Sequence, residues 1–151
     1  MIEVRIGRGE DGEALEPVTR TLTAEEIAAF RGPLADAKAE RLATLARIRW
    51  RATQTFTYDG VDGVPADSAL TAVLGVVVAD TVAPVAGDIT WKLKNGEFRT
   101  WSVEDVAAYG IAIRAHVQAC FDNEQALSDA ILAAADHDAL DAIDLTAGWP
   151  G

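Results

Sequence analysis

Residues 102–134 read SVEDVAAYGIAIRAHVQACFDNEQALSDAILAA, and this stretch decides the fold. Ser102-Val-Glu-Asp105 starts a helix: a Ser side chain accepts from the amide three residues on, and an acid there reaches back. Val103, Val106, Gly110, Ile113, Val117, Cys120, Glu124, Leu127, Ile131 and Ala134 then follow a strict 3-4-3-4 spacing, broken in character only by Glu124. A seam of this length satisfies the coiled-coil template, in which each knob packs against a neighbouring helix. It is also what a helix lying on its own domain would show, because Tyr109, Ile111 and Phe121 widen the apolar stripe. Both readings stand at this point, and Glu124 is read as a bend, a polar layer or a break between two helices.

Working upstream, Ile89–Lys94 and Glu97–Trp101 flank Asn95-Gly96, the strongest short-range signal for a hairpin. Trp91, Leu93, Phe98 and Trp101 are expected to supply its apolar contacts. Before it, Asp67 or Ser68 caps a segment running to about Asp80. The Val76-Val77-Val78 run favours a strand, but the Ala and Leu of its first half and its length predict a buried helix. Thr55–Tyr58, followed by Asp59-Gly and Asp62-Gly turns, reads as a short hairpin. Pro33 can open a helix over Leu34 to about Thr53, with Leu34, Leu45 and Ile48 on one side and Leu42 beside them. Thr23-Ala-Glu-Glu26 is a capping box opening a helix to Phe30. Ile2, Val4 and Ile6 alternate as a strand, with a second strand near Val18–Leu22. A short helix is expected over Asp138–Asp144.

Composition bounds the function. The chain has 151 residues, half of them apolar, and a net charge of −11. Residues 1–53 are balanced. Residues 54–151 hold only Lys92, Lys94, Arg99 and Arg114 as cations against fifteen acids, and so carry the whole excess. A phosphate backbone needs clustered cations, so nucleic acid is not expected as a partner; basic protein surfaces are. Cys120 is the single cysteine, which excludes an intrachain disulfide and fits folding in a reducing compartment. The start, MIEVRIGRGEDGE, lacks the pattern of a signal peptide. Ala69–Val85 is interrupted by Gly75, Asp80 and Pro84, so no membrane insertion is expected.

No catalytic constellation emerges, and no cofactor or metal is expected. One cysteine cannot build a thiolate zinc site or a CxxC pair, and Cys120 on the apolar seam reads as a buried, inert thiol. His116 has no evident nucleophile and orienting carboxylate, so it reads as a hydrogen-bonded structural histidine. His137 stands among Asp136, Asp138 and Asp141, but Asp138, Asp141 and Asp144 recur every three residues and read as a solvated face. Asp59-Gly-Val-Asp62-Gly lacks the alternating acids and distal Glu of a calcium loop. Trp50, Trp91 and Trp101 are expected in the core or against the hairpin, and Trp149 against its own domain.

Several segments in order resemble an uncharacterised domain family of tailed phages and prophages. They are the helix end Arg47-Ile-Arg-Trp-Arg51 with the later Asp67-Ser68, and the hairpin Trp91-Lys-Leu-Lys-Asn-Gly-Glu-Phe98. The helix Arg114-Ala-His-Val-Gln-Ala-Cys-Phe121 and the end from Leu140-Asp-Ala-Ile-Asp144 to Gly148-Trp-Pro150 complete the set. The resemblance spans about residues 36–150 and leaves 1–35 outside, as a possible attachment region whose strand could join a neighbour's sheet. It implies a place among tail-fibre, tail-tip or tail-assembly proteins, and no functional residues.

The expected fold is α+β: small β-hairpins packed on three or more helices, with a long C-terminal helix over about 103–135. The expected function is non-enzymatic. It is that of a structural virion protein of a phage tail, a fibre or tail-tip adaptor made in the host cytoplasm. Its partners would be other tail proteins and further copies of itself. A trimer is favoured, through Val103, Val106, Gly110, Ile113, Val117, Cys120, Leu127 and Ile131. The alternative is a tail-fibre assembly chaperone absent from the mature particle.

Overall fold

A computed structural model describes residues 22–59, 66–84, 86–93 and 95–150. The elements are α1 (Ala24–Arg31), α2 (Leu34–Gln54), α3 (Ala66–Val82), β1 (Ile89–Lys92), β2 (Phe98–Trp101), α4 (Val103–Ala133) and α5 (His137–Asp141). The fold is α+β, a two-stranded antiparallel hairpin with helices, the longest being α4. The chain separates into two compact units, Met1–Ala37 and Lys38–Gly151. The expected strands Ile2–Ile6 and Val18–Leu22 lie almost wholly outside the described residues.

In the first unit the capping box forms as the sequence predicts. The Glu26 amide donates to Thr23 Oγ1 at 3.2 Å and the Thr23 amide donates to Glu26 Oε2 at 2.9 Å. Gly32 ends α1 at φ 68°, a conformation that costs glycine little.

The second unit is organised around α4. Its capping box joins Ser102 and Asp105 in both directions, at 3.1 and 2.9 Å. The Ser102 amide and hydroxyl both donate to the Asp105 carboxylate, which holds its pKa below the usual value. From this start α4 runs unbroken to Ala133. Glu124 therefore marks no break, and Arg49 of α2 meets it as an ion pair at 3.3 Å.

The seam residues pack against elements of the same chain. Val106, Ile113, Cys120 and Ile131 are fully buried, Gly110 is buried, and Val103, Val117 and Leu127 are half-buried. Over the first half of α4, Val106, Tyr109 and Ile113 share one core with Phe56 and with Ala69 and Val73 of α3. The hairpin closes this core, with Ile89, Trp91 and Trp101 on its inner face, in the register Ile89 to Trp101. Over the second half lie α2 and the C-terminal tail, whose Leu45, Leu140 and Leu145 are buried. An oligomer built on the seam would have to displace this core. The 3-4 pattern reports only that one stripe is buried, and here the chain's own elements suffice to bury it.

Other details depart from expectation. The Asn95-Gly96 hairpin forms, but the Leu93 amide donates to the Glu97 carbonyl at 2.8 Å and the Gly96 amide to the Leu93 carbonyl at 3.0 Å. With Gly96 at φ 88° and Asn95 not in the positive region, the loop is one residue longer than a two-residue Asn-Gly turn. Thr55–Thr57 is irregular and only Tyr58 makes a β-bridge; the rest of the predicted first hairpin lies outside the described residues. Asp67 and Ser68 fall inside α3, which begins at Ala66.

Candidate functional site

Of the residues of α3, Ala69 and Val73 are buried, whereas Leu74 is 62% exposed and Val82 83%. The helix predicted as buried is thus apolar on all sides but covered on one. Its uncovered flank and the adjoining flank of α4 form an open groove of about 530 Å³. Leu70, Leu74 and Val77 stand on the α3 side; Ala107, Ile111 and Arg114 stand on the α4 side. Ile111 is 70% exposed.

The groove owes its depth to Gly110. A Cβ built there would lie 2.5 Å from Val73 Cγ1, inside van der Waals contact. A bare glycine lets the two backbones approach, and Val73 and Gly110 become the floor between the flanking side chains. Arg114 sits at the rim as the only charged residue among the described residues lining the groove. The groove therefore offers apolar contact and one guanidinium.

His116, Cys120 and the C-terminal acids occupy structural positions. His116 Nε2 lies 2.9 Å from the Ala52 carbonyl; because a carbonyl can only accept, Nε2 carries the proton. Cys120 Sγ is 3.8 Å from the same nitrogen, a contact set by their four-residue spacing that sequence reading had not joined. The thiol is buried, and burial pushes its pKa up despite the nearby Arg49 cation, opposite to the activation of a nucleophile. Of the C-terminal acids, Asp136 caps α5 by accepting from the Ala139 amide, and Asp144 accepts from the Thr146 amide and hydroxyl. Asp138, Asp141 and Asp144 are exposed.

Among the aromatics, Trp91 and Trp101 stack at 5.8 Å and meet the Tyr109 ring. Burial raises the Tyr109 phenol to about 12, and among the described residues its hydroxyl has no hydrogen-bond partner. Trp50 breaks the expectation: it is 59% exposed on α2, beside Arg47 and Arg51. Trp149 folds onto its own tail, donating from Nε1 to the Leu145 carbonyl at 2.8 Å. Gly148 before it, at φ 80°, leaves room for the Asn123 amide, which donates to the Ala147 carbonyl at 3.0 Å.

A family model described as Domain of unknown function (DUF4376) matches residues 36–147. The chain belongs to this family. No curated protein and no solved structure gives a significant match. The DUF4376 match covers α2 through α5, and with them both walls of the groove. No described helix is long and apolar enough to cross a membrane.

Proposed function

We propose that this DUF4376 protein is a structural component of a bacteriophage tail, a fibre or tail-tip adaptor that works by binding other proteins. The observation that carries the binding half is the open groove between α3 and α4, where Leu74 and Ile111 stand in solvent in an otherwise folded unit. Exposed apolar surface of this kind is costly to leave uncovered and is typical of protein–protein contacts. The resemblance of the Arg47–Arg51, Trp91–Phe98, Arg114–Phe121 and Leu140–Pro150 segments to a tailed-phage domain family supports the tail half. The raised thiol pKa of Cys120 and the carbonyl-bound His116 favour binding over catalysis.

The test is mass spectrometry of purified phage particles against the lysate that produced them. Presence of the chain in the particle at a fixed ratio to known tail proteins is the expected result. Abundance in the lysate with absence from the particle would overturn the virion assignment. It would favour the assembly-chaperone reading, which an acidic chain with an uncovered apolar groove also suits.

A further inference from the structure

We infer that the groove is filled by α4 of a second copy of this chain, lying antiparallel across a two-fold axis near position 109. This rests on the reading of the groove as a binding surface and is independent of its assignment to a tail.

The inference comes from charge and size complementarity along the outer stripe of α4. Glu104, Ala107, Ile111 and Arg114 follow one another at three, four and three residues, and so share one flank of the helix. Arg114 is the only Lys or Arg beyond Arg99, in a segment otherwise crowded with acids. Glu104 and Arg114 are both exposed, and among the described residues neither has a hydrogen-bond or ion-pair partner. Ten residues apart on one helix, they are separated by about 15 Å of axial rise and cannot pair within it.

An antiparallel copy changes that. Two antiparallel helices related by a two-fold axis pair residues equidistant from the axis. Glu104 and Arg114 each stand five residues from position 109, and Ala107 and Ile111 each stand two. One placement of the axis therefore sets Glu104 against the partner's Arg114 at both ends of the contact. The same placement sets each large Ile111 against the small Ala107 between them, so Ile111 of each copy enters the other's groove, walled by Leu74. An isologous contact of this kind closes after two copies. It also provides a local ion pair where a net charge of −11 would otherwise hold two copies apart.

The test is light scattering with in-line chromatography on the full chain over a range of concentrations, with circular dichroism to confirm folding. The wild type is expected at twice the chain mass. Glu104→Arg and Arg114→Glu are each expected to weaken the dimer roughly tenfold or more. The double exchange is expected to restore it, and loss of helix in a single variant cannot produce that rescue. Ile111→Asp is expected to give a folded monomer, since the side chain already faces solvent. A monomeric wild type, a trimer, or a dimer indifferent to both reversals would overturn the inference. So would a double exchange no better than its parents. A chain that enters phage particles yet is monomeric alone would remove the two-fold contact and leave the binding reading intact. A dimer absent from particles would leave the two-fold contact standing and remove the virion assignment.

Discussion

The two flanks of α4 are held in opposite ways. Toward α3 the contact is apolar: Val73 lies against Gly110, and Ala69 joins Val106, Tyr109 and Ile113 in one core. Toward α2 and the tail the contacts include several polar ties. Arg41 donates to the Leu140 and Ile143 carbonyls at 3.1 and 2.6 Å, and Lys38 donates to the Leu132 carbonyl at 2.8 Å. His116 reaches Ala52, and Arg49 pairs with Glu124 while lying 5.0 Å over the Phe121 ring. Hydrogen bonds are directional, so the α2 flank has one register; apolar packing is not, so the α3 flank can accept another element beside it. The difference explains why the open groove lies on the α3 side.

The sharpest way to break this comparison is to charge the apolar side. Ile113→Asp places a carboxylate at a fully buried position with no cation of its own, a loss on the order of 4 kcal/mol. That is enough to unfold a domain of ordinary stability, and thermal melting should show it. Val117→Asp, at a half-buried position, should cost less. An unchanged melt for Ile113→Asp would mean that the core is not where the fold puts it.

Next comes the polar flank. Arg41→Met keeps the aliphatic stem and removes the guanidinium from the Leu140 and Ile143 carbonyls, of which Leu140 still accepts from the Ile143 amide, a loss of about 1–2 kcal/mol. Hydrogen exchange should quicken in residues 137–150 before it quickens in α3. Uniform quickening would show that Arg41 serves the whole unit and not the tail.

Smaller still is Gly110→Ala. Alanine is the better helix former by about 1 kcal/mol, but its Cβ meets a β-branched valine with little rotamer freedom, and overpacking costs about 1–3 kcal/mol. The net expectation is destabilisation in the native background and stabilisation in a Val73→Ala background. Urea unfolding of the four proteins of this cycle measures it, and the same sign in both backgrounds would remove the close approach as the reason for glycine.

The smallest effect is at the start of α4. Because the Asp105 pKa is lowered in the folded chain, its contribution is complete above the unfolded value, near 3.8. It is lost as pH falls through the lower folded value. The gap in urea midpoint between wild type and Asp105→Asn should therefore be present at about pH 7 and narrow as the pH falls below the unfolded value. A gap independent of pH would mean that charge at Asp105 plays no part.

Much of the fold was legible in the sequence because its signals are local. Thr23–Glu26 and Ser102–Asp105 close their own capping boxes within four residues, and Asn95-Gly96 turns the chain between strands that are already neighbours. What could not be read is which surface each apolar stripe meets. The seam through Val106, Ile113 and Ile131 carries the same 3-4 pattern whether a second chain or its own chain covers it. Trp50 looked like core by residue type, yet lies on the outer side of α2, while Tyr109, counted with the other face, is fully buried. The groove was invisible because it needs Leu74 and Ile111 side by side, thirty-seven positions apart.

The sequence by itself determined the α+β class, the starts of α1, α2 and α4, the hairpin and the acidic C-terminal two thirds, since each follows from neighbours along the chain and from composition. Only the tertiary structure decided that α4 spends its seam on its own core and keeps Ile111 and Arg114 outward. Burial is a competition among surfaces distant in sequence. Here α2, α3, the hairpin and the tail together cover the seam and leave the α3 flank open.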